Sequence, residues 1–123
     1  MPGIPATPVT IARAYTVDTL WRNRDQHITG RDQVIAFLTE KWETERDYRL
    51  RKNLWAFSGD HTAVRFQYEW RDHHGQWWRS YGNELWKFDP NGYMQRREAS
   101  INDQKIDVSD LRVMPGRGEL PAW

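Results

Sequence analysis

The residues that could do chemistry are few. Glu98 with Asn83 and Arg79 is the group best suited to acid/base work: a carboxylate as the proton carrier, an amide to orient it, and a guanidinium or the Tyr81 phenol to stabilise developing negative charge. The same side chains equally suit a hydrogen-bond network inside a polar core. Arg79 beside Glu98 would favour the ionised carboxylate, making it a base more readily than an acid. His73 and His74 beside Asp72 suggest a metal, but adjacent side chains in a tight turn diverge and no third ligand is in view, so DHHG reads as a solvated turn. His27 and His61 lie beside a helix start and a hairpin turn. No Ser/His/Asp order, glycine-rich phosphate loop or RNA-binding aromatic signature is present. Neither a metal nor a cofactor is expected.

Whether these residues meet depends on strand register. From Asp47 the hydrophobic period is two, with strands expected at about 47–58, 61–72, 76–88 and 93–102, separated by SGDH, DHHG and DPNG, which makes an antiparallel meander of hairpins. Pairing His73 with Gln76 across a two-residue turn puts Arg65 opposite Glu84, and pairing Asp89 with Gly92 puts Glu84 opposite Arg97. One face then holds the Arg65/Glu84/Arg97 ladder with Leu50, Leu54, Trp78 and Trp86. The other holds Val64, Phe66, Tyr68 and Trp70 beside Arg79, Tyr81, Asn83 and Glu98, with Asn83 facing Glu98. The second face is the more aromatic, so it should be the side that helices cover. Its polar members need partners, because burying them unsatisfied costs roughly 2 to 7 kcal/mol each, and a pocket with water or a ligand would supply them.

The elements ahead of the sheet read as helix, strand, helix. Thr7 and Pro8 signal a short helix over about 8–16, LWRNRD (20–25) reads as a brief strand, and Thr29 with Asp32 resembles a capping box. Val34, Phe37, Leu38 and Trp42 then form one apolar stripe of a helix over about 30–45. Residues 1–7 are expected to be poorly ordered and 104–123 to form an irregular tail. At 123 residues the chain is one domain, 1–123, with a single core. Eighteen Lys and Arg against seventeen Asp and Glu give a net charge of +1, which leaves no electrostatic footprint for nucleic acid. Absence of cysteine excludes disulfides and thiolate metal sites, and no apolar run reaches the length of a membrane span, so a soluble cytoplasmic protein is the default. Eight Trp at a mean hydropathy of −0.93 must line a core, an interface or a pocket.

The segments WRNR, HITGRDQVIAFL, AVRFQYEW, WWRSYGNELWKF and REASIND, in this order, resemble the nuclear transport factor 2-like superfamily and, within it, an uncharacterised SnoaL-like branch, domain of unknown function 1348. The likeness covers about residues 9–110. It implies an α+β fold in which a strongly curved antiparallel sheet wraps around helices as a cone with a cavity inside, here with a shortened first helix. It also implies a homodimer through the outer face of the sheet, with Arg65, Trp78, Glu84, Trp86 and Arg97 as the interface; the alternative is a solvated face whose rings are shielded by Arg stems. The pocket inside the cone would be lined by Trp21, Asn23, Phe37, Phe66 and Tyr68 with Arg79, Tyr81, Asn83 and Glu98. Tyr15, Asp18 and Asp103 invite a looser comparison with ketosteroid isomerases, which resemble this fold. Two functions are compatible with it: a cofactor-independent acid/base enzyme of isomerase, hydratase or cyclase type on a small apolar substrate, or a non-catalytic ligand-binding or dimerisation module. The tail ending in Trp123 is expected to cover the mouth left open by the short first helix.

Overall fold

Strand formation begins earlier than the sequence suggests. The computed structural model describes residues 14–44 and 46–121; in it β1 spans Tyr15–Asn23 and turns back, with Arg24 at φ 59°, onto β2 (Gln26–Thr29). Positions 8–13 of the helix expected over 8–16 lie outside the described residues; of the other three, Ala14 is helical and Tyr15 and Thr16 are strand. Next comes α1 (Arg31–Thr44), close to its expected bounds. Its first turn is tied by Gln33, whose Oε1 accepts the Thr29 N–H at 3.0 Å, so Gln33 takes the role expected of Asp32. The apolar stripe of α1 packs Val34, Phe37 and Leu38 onto Trp21 and Ile28, and it fades at Trp42, which is 40% exposed.

Four long strands come next in the chain, β3 (Arg46–Ser58), β4 (His61–Arg71), β5 (Trp77–Phe88) and β6 (Met94–Ile106). With a short β7 (Gly116–Arg117) they complete a seven-stranded sheet of order β2-β1-β6-β5-β4-β3-β7, curved and unclosed, with α1 on its concave side. This is the α+β cone. The sheet is mixed, since β1 runs parallel to β6 and β7 parallel to β3. The last long strand continues to Ile106, and the segment beyond it is more than irregular tail: a 3-10 turn at Val108–Asp110 precedes β7.

Hairpin geometry overturns the expected faces. In the β4–β5 loop Asp72 Oδ1 accepts the N–H groups of His74 and Gln76 at 2.9 and 3.0 Å, and Gly75 takes φ 82°, so the last ladder pair is Arg71 with Trp77. That places Arg65 opposite Asn83 and Val64 opposite Glu84, one residue away from the expected pairing. A slip of one residue turns every side chain of a strand to the other face. Glu84, Trp78 and Trp86 therefore join Val64, Phe66, Tyr68 and Trp70 on the concave face, and Arg79, Tyr81 and Asn83 go to the convex face. In the β5–β6 loop Asp89 Oδ1 accepts from Asn91 and Tyr93, so that Phe88 pairs with Met94, one residue from the expected register, and the ladder irregularity between Lys87 and Phe88 adds a second. Arg97 thus shares the face of Glu84 as expected but stands opposite Trp86, while Glu98 stands opposite Leu85 on the convex side.

The segment after β6 straps the convex face. Fully buried Glu69 accepts the N–H groups of Arg112 and Val113 at 3.0 and 2.7 Å and pairs with Arg79 at 3.0 Å. Further along, Arg51 Nε donates to the Glu119 carbonyl at 2.7 Å and Gln67 Nε2 to that of Pro121 at 3.3 Å. The described tail is thus committed to the convex face and to the β3 edge, not to a lid; Trp123 lies outside the described residues.

Candidate functional site

The concave face carries a buried carboxylate ringed by donors. Glu84, 2% exposed, reaches from the middle of β5; its Oε1 accepts Arg97 Nη2 and its Oε2 accepts Trp86 Nε1, each at 2.6 Å, while Lys52 Nζ stands 3.5 Å from both oxygens. Period two along β3 and β6 delivers the cations, because Lys52 is paired with Phe66 and Arg97 with Trp86, both concave residues. Behind the cluster Arg97 lies over the Trp21 ring at 4.4 Å, and Tyr15 meets the same ring edge-on at 5.1 Å. Arg97 Nη1 and Trp21 Nε1 are buried donors without a hydrogen-bond partner among the described residues.

Two cations against one carboxylate fix the local electrostatics. Burial alone would raise the Glu84 pKa, but Arg97 first and Lys52 next, with the Arg97 and Trp86 hydrogen bonds, bring the carboxyl down to about 2. Lys52 moves the other way: burial lowers its pKa, Glu84 opposes the fall, and Arg97 and Lys41 add to it. Burial raises the Tyr15 phenol, which is a neutral O–H donor at pH 7. Glu84 is consequently a fixed anion rather than a proton carrier, and the cluster offers positive charge toward any neighbour.

A cavity of ≈ 530 Å³ opens beside Lys52, walled by Leu50, Leu54, Val64 and Trp86 on the sheet and by Gly116 to Gly118 on the tail. Next to Val64 on the concave side of β4, the outer end of the Phe66 ring occupies the space that Gly82 of β5 leaves: a Cβ there would stand 2.0 Å from Phe66 Cζ. A smaller cavity of ≈ 300 Å³ lies between α1 and the sheet, with Asn23, Phe37, Tyr68, Trp70 and Asp103 in its wall. Of the two carboxylates in its wall, Glu40 and Asp103, the latter is saturated, since Arg24 grips Asp103 at 2.8 and 2.9 Å and Ser80 Oγ donates to it at 2.5 Å. An open groove of ≈ 570 Å³ at the β3–β4 turn includes Phe57, Ala63, Leu85 and Glu98. Among the described residues no three His, Cys, Asp or Glu side chains converge as metal ligands would, and no helix is long and apolar enough to cross a membrane.

The expected residues divide cleanly. Trp21, Asn23, Phe66 and Tyr68 are buried on the concave face and Phe37 packs on Trp21 at 6.3 Å. Glu98, Asn83, Arg79 and Tyr81 lie on the convex face and do not gather around Glu98: Arg79 pairs with Glu69 and is hydrogen-bonded to Tyr81, Tyr81 donates to Gln104 at 3.0 Å, Asn83 is exposed, and Glu98 pairs with Arg96 at 3.3 Å. Glu98 as acid/base inside the cone falls with that placement. Trp78, Glu84, Trp86 and Arg97 cannot be outer-face interface residues for the converse reason; of that set Arg65 alone stays convex, 4.9 Å over the exposed Trp55 ring. Asp18 is exposed. Lys52 went unread, although LRKNL, with apolar residues two positions to either side of it, carries the signal for a concave lysine.

Residues 5–114 match the model of DUF1348, a protein family of unknown function. Among solved structures the chain is similar to a protein of Shewanella denitrificans OS-217 provisionally named a SnoaL-like polyketide cyclase (19% identity, 77% of this chain and 78% of that one, TM-score 0.66). It is similar also to an NTF2-like protein of unknown function from Burkholderia pseudomallei K96243 (20% identity, 77% and 78%, TM-score 0.69). A third is an epoxide hydrolase/cyclase-like enzyme of pyran ring formation in the polyether salinomycin (13% identity, 78% of each chain, TM-score 0.68). At such identities the likeness is one of nuclear transport factor 2-like fold. None of the curated proteins matches the chain significantly.

Proposed function

We propose that this chain, which belongs to the DUF1348 family of proteins of unknown function, binds a small organic molecule with an apolar body in the concave cavity beside Lys52. The observation that carries this is the ≈ 530 Å³ space walled by Leu50, Leu54, Val64 and Trp86 and adjoining the Lys52–Glu84–Arg97 cluster. Apolar walls with a few convergent polar groups are the usual make-up of small-molecule sites. Trp21, Phe37, Phe66 and Tyr68 give the concave face its apolar backing. The test is titration with the neutral fluorescent probe N-phenyl-1-naphthylamine. Saturable binding that is lost in Leu54→Glu, a substitution at a half-exposed wall position, supports the site; no binding, or binding indifferent to Leu54→Glu, overturns it.

A second function, cofactor-independent acid/base catalysis of isomerase, hydratase or cyclase type, draws support from the neutral Tyr15 O–H within the field of Arg97 and Glu84. On it Lys52 and Arg97 stabilise negative charge developing on a carbonyl oxygen, and Glu84 holds the two cations in place without carrying the proton. The cyclase-named proteins of like fold lend it weight as analogy. Turnover of small carbonyl compounds that Lys52→Met abolishes would establish it.

We propose also a homodimer through the convex face, now resting on Trp55, Ala63 and Leu85 with Arg65. Trp55 and Leu85 are 64% and 56% exposed beyond the part of the sheet that the tail covers. The cytoplasm is the proposed compartment, on the cysteine-free composition.

A further inference from the structure

Lys52 is fixed from backbone to amine. It sits inside the sheet on β3, paired with Phe66 of β4 and Arg117 of β7, and its carbonyl accepts the Gly118 N–H at 3.0 Å. Its Nζ stands 5.8 and 5.2 Å from the centres of the Phe66 and Trp86 rings and 3.5 Å from both oxygens of Glu84. Arg97 and Trp86 hold those oxygens more closely, at 2.6 Å each, so Glu84 keeps Lys52 in place by charge more than by a short, directed hydrogen bond. A third of the Lys52 side chain is open, and it lines the ≈ 530 Å³ cavity together with Leu50, Leu54 and Val64. Burial lowers its pKa against the pull of Glu84, and Arg97 and Lys41 add to the fall, so free amine is more plentiful here at neutral pH than on an ordinary lysine.

A partly desolvated amine on a rigid strand, at the wall of an apolar cavity, is the arrangement that makes a lysine nucleophilic toward carbonyl carbon. From this geometry we infer that Lys52 Nζ forms an imine with an aldehyde or ketone whose apolar body lies in the cavity along Leu50, Leu54 and Val64. The inference rests on the proposed ligand cavity and names the class of its ligand. The ammonium first gives a proton to solvent, which reaches it through the exposed third of the side chain. The amine lone pair then attacks the carbonyl carbon, the carbonyl oxygen takes up a proton, and the resulting carbinolamine takes a second proton on its hydroxyl and expels it as water. The nitrogen sheds its other surplus proton to solvent and is left doubly bonded to carbon as an iminium. That iminium carries the one positive charge the ammonium carried, so the pairing with Glu84 survives the reaction. Glu84, with its carboxyl held down to about 2, stays an anion throughout and moves no proton.

The experiment is reductive trapping on the unmodified protein at pH 7, with hydrocinnamaldehyde as the carbonyl compound and cyanoborohydride to turn any iminium into a stable secondary amine. The lysines of the chain are Lys41, Lys52, Lys87 and Lys105, so peptide mass mapping reads each separately and exposed Lys105 serves as the internal standard. The share of free amine grows about tenfold for each pH unit by which a lysine titrates lower, so Lys52 should be trapped at least about tenfold faster than Lys105. Saturating N-phenyl-1-naphthylamine should protect Lys52 and leave the Lys105 rate unchanged. If the probe binds in the Leu54-sensitive manner but Lys52 is trapped no faster than Lys105, the imine is wrong and the cavity stands. If Lys52 is favoured but the probe gives no protection, the carbonyl compound reaches it outside the cavity and the inference falls. If the probe does not bind and Lys52 is not favoured, both are wrong.

Discussion

Arg97 Nη2 donates to Glu84 Oε1 at 2.6 Å although the two residues are not cross-strand partners: Glu84 stands opposite Ala99, and Arg97 opposite Trp86. The contact is diagonal, between neighbours two positions apart on one face. It leaves the position opposite Glu84 to Ala99, which is fully buried, and it brings the Trp86 N–H onto the other carboxylate oxygen.

Glu84→Gln should therefore cost about 3 kcal/mol at pH 7, because two neighbouring cations lose their shared anion in a buried setting. Glu84 has a folded pKa of about 2 against an ordinary 4.5, so its stabilisation is complete above pH 4.5 and is lost as pH falls toward 2. Urea unfolding of parent and variant should show a wide gap at pH 7 that closes on acidification. A gap independent of pH would show that the charge is not what stabilises the cluster.

Gly82→Ala should destabilise by about 1 to 3 kcal/mol, as overpacking does. The added methyl meets the Phe66 ring, which must lift toward Val64 and the cavity. Combining it with Phe66→Leu should recover part of the loss in the same unfolding assay; strict additivity of the two changes would place the cause elsewhere.

The fate of Glu84 and Glu98 explains how far the sequence could be read. The bounds of α1 and of β3 to β5 were legible because the hydrophobic period changes from that of a helix to that of a strand within a few residues of Thr44, whereas β1 was read too short and β2 and β7 were missed. Faces were not, because they hang on whether DHHG closes with His73 or with Arg71, and that is decided by Asp72 accepting two backbone N–H groups, a local contact that no periodicity reports. One residue of difference exchanged the expected interface for the buried cluster. Glu69 was illegible for another reason: its partners are the backbone amides of Arg112 and Val113, and backbone carries no sequence signature.

Glu69→Gln should free the tail. Arg79 would lose its carboxylate partner and the Arg112 and Val113 amides would lose an ionised acceptor, at a cost of about 3 kcal/mol. Trypsin should then cut after Arg112 and Arg117 well before the sheet is attacked. Equal resistance of parent and variant would mean that the strap is held by other contacts.

Leu85→Arg should shift the sedimentation coefficient from that of a dimer to that of a monomer without lowering the melting temperature by more than about 2 °C, since surface substitutions away from buried groups seldom move stability by more than about 0.5 kcal/mol. A parent protein that sediments as a monomer at high micromolar concentration would remove the convex-face dimer.

The most direct test of the concave site tracks the indole N–H resonances of the tryptophans during titration with N-phenyl-1-naphthylamine. A ligand in the cavity should shift the Trp86 resonance saturably, since that ring forms the wall and its N–H is bound to Glu84, and should leave Trp55, on the convex face, in place. Shifts confined to Trp55, or no saturable shift at Trp86, would contradict a ligand site on the concave face.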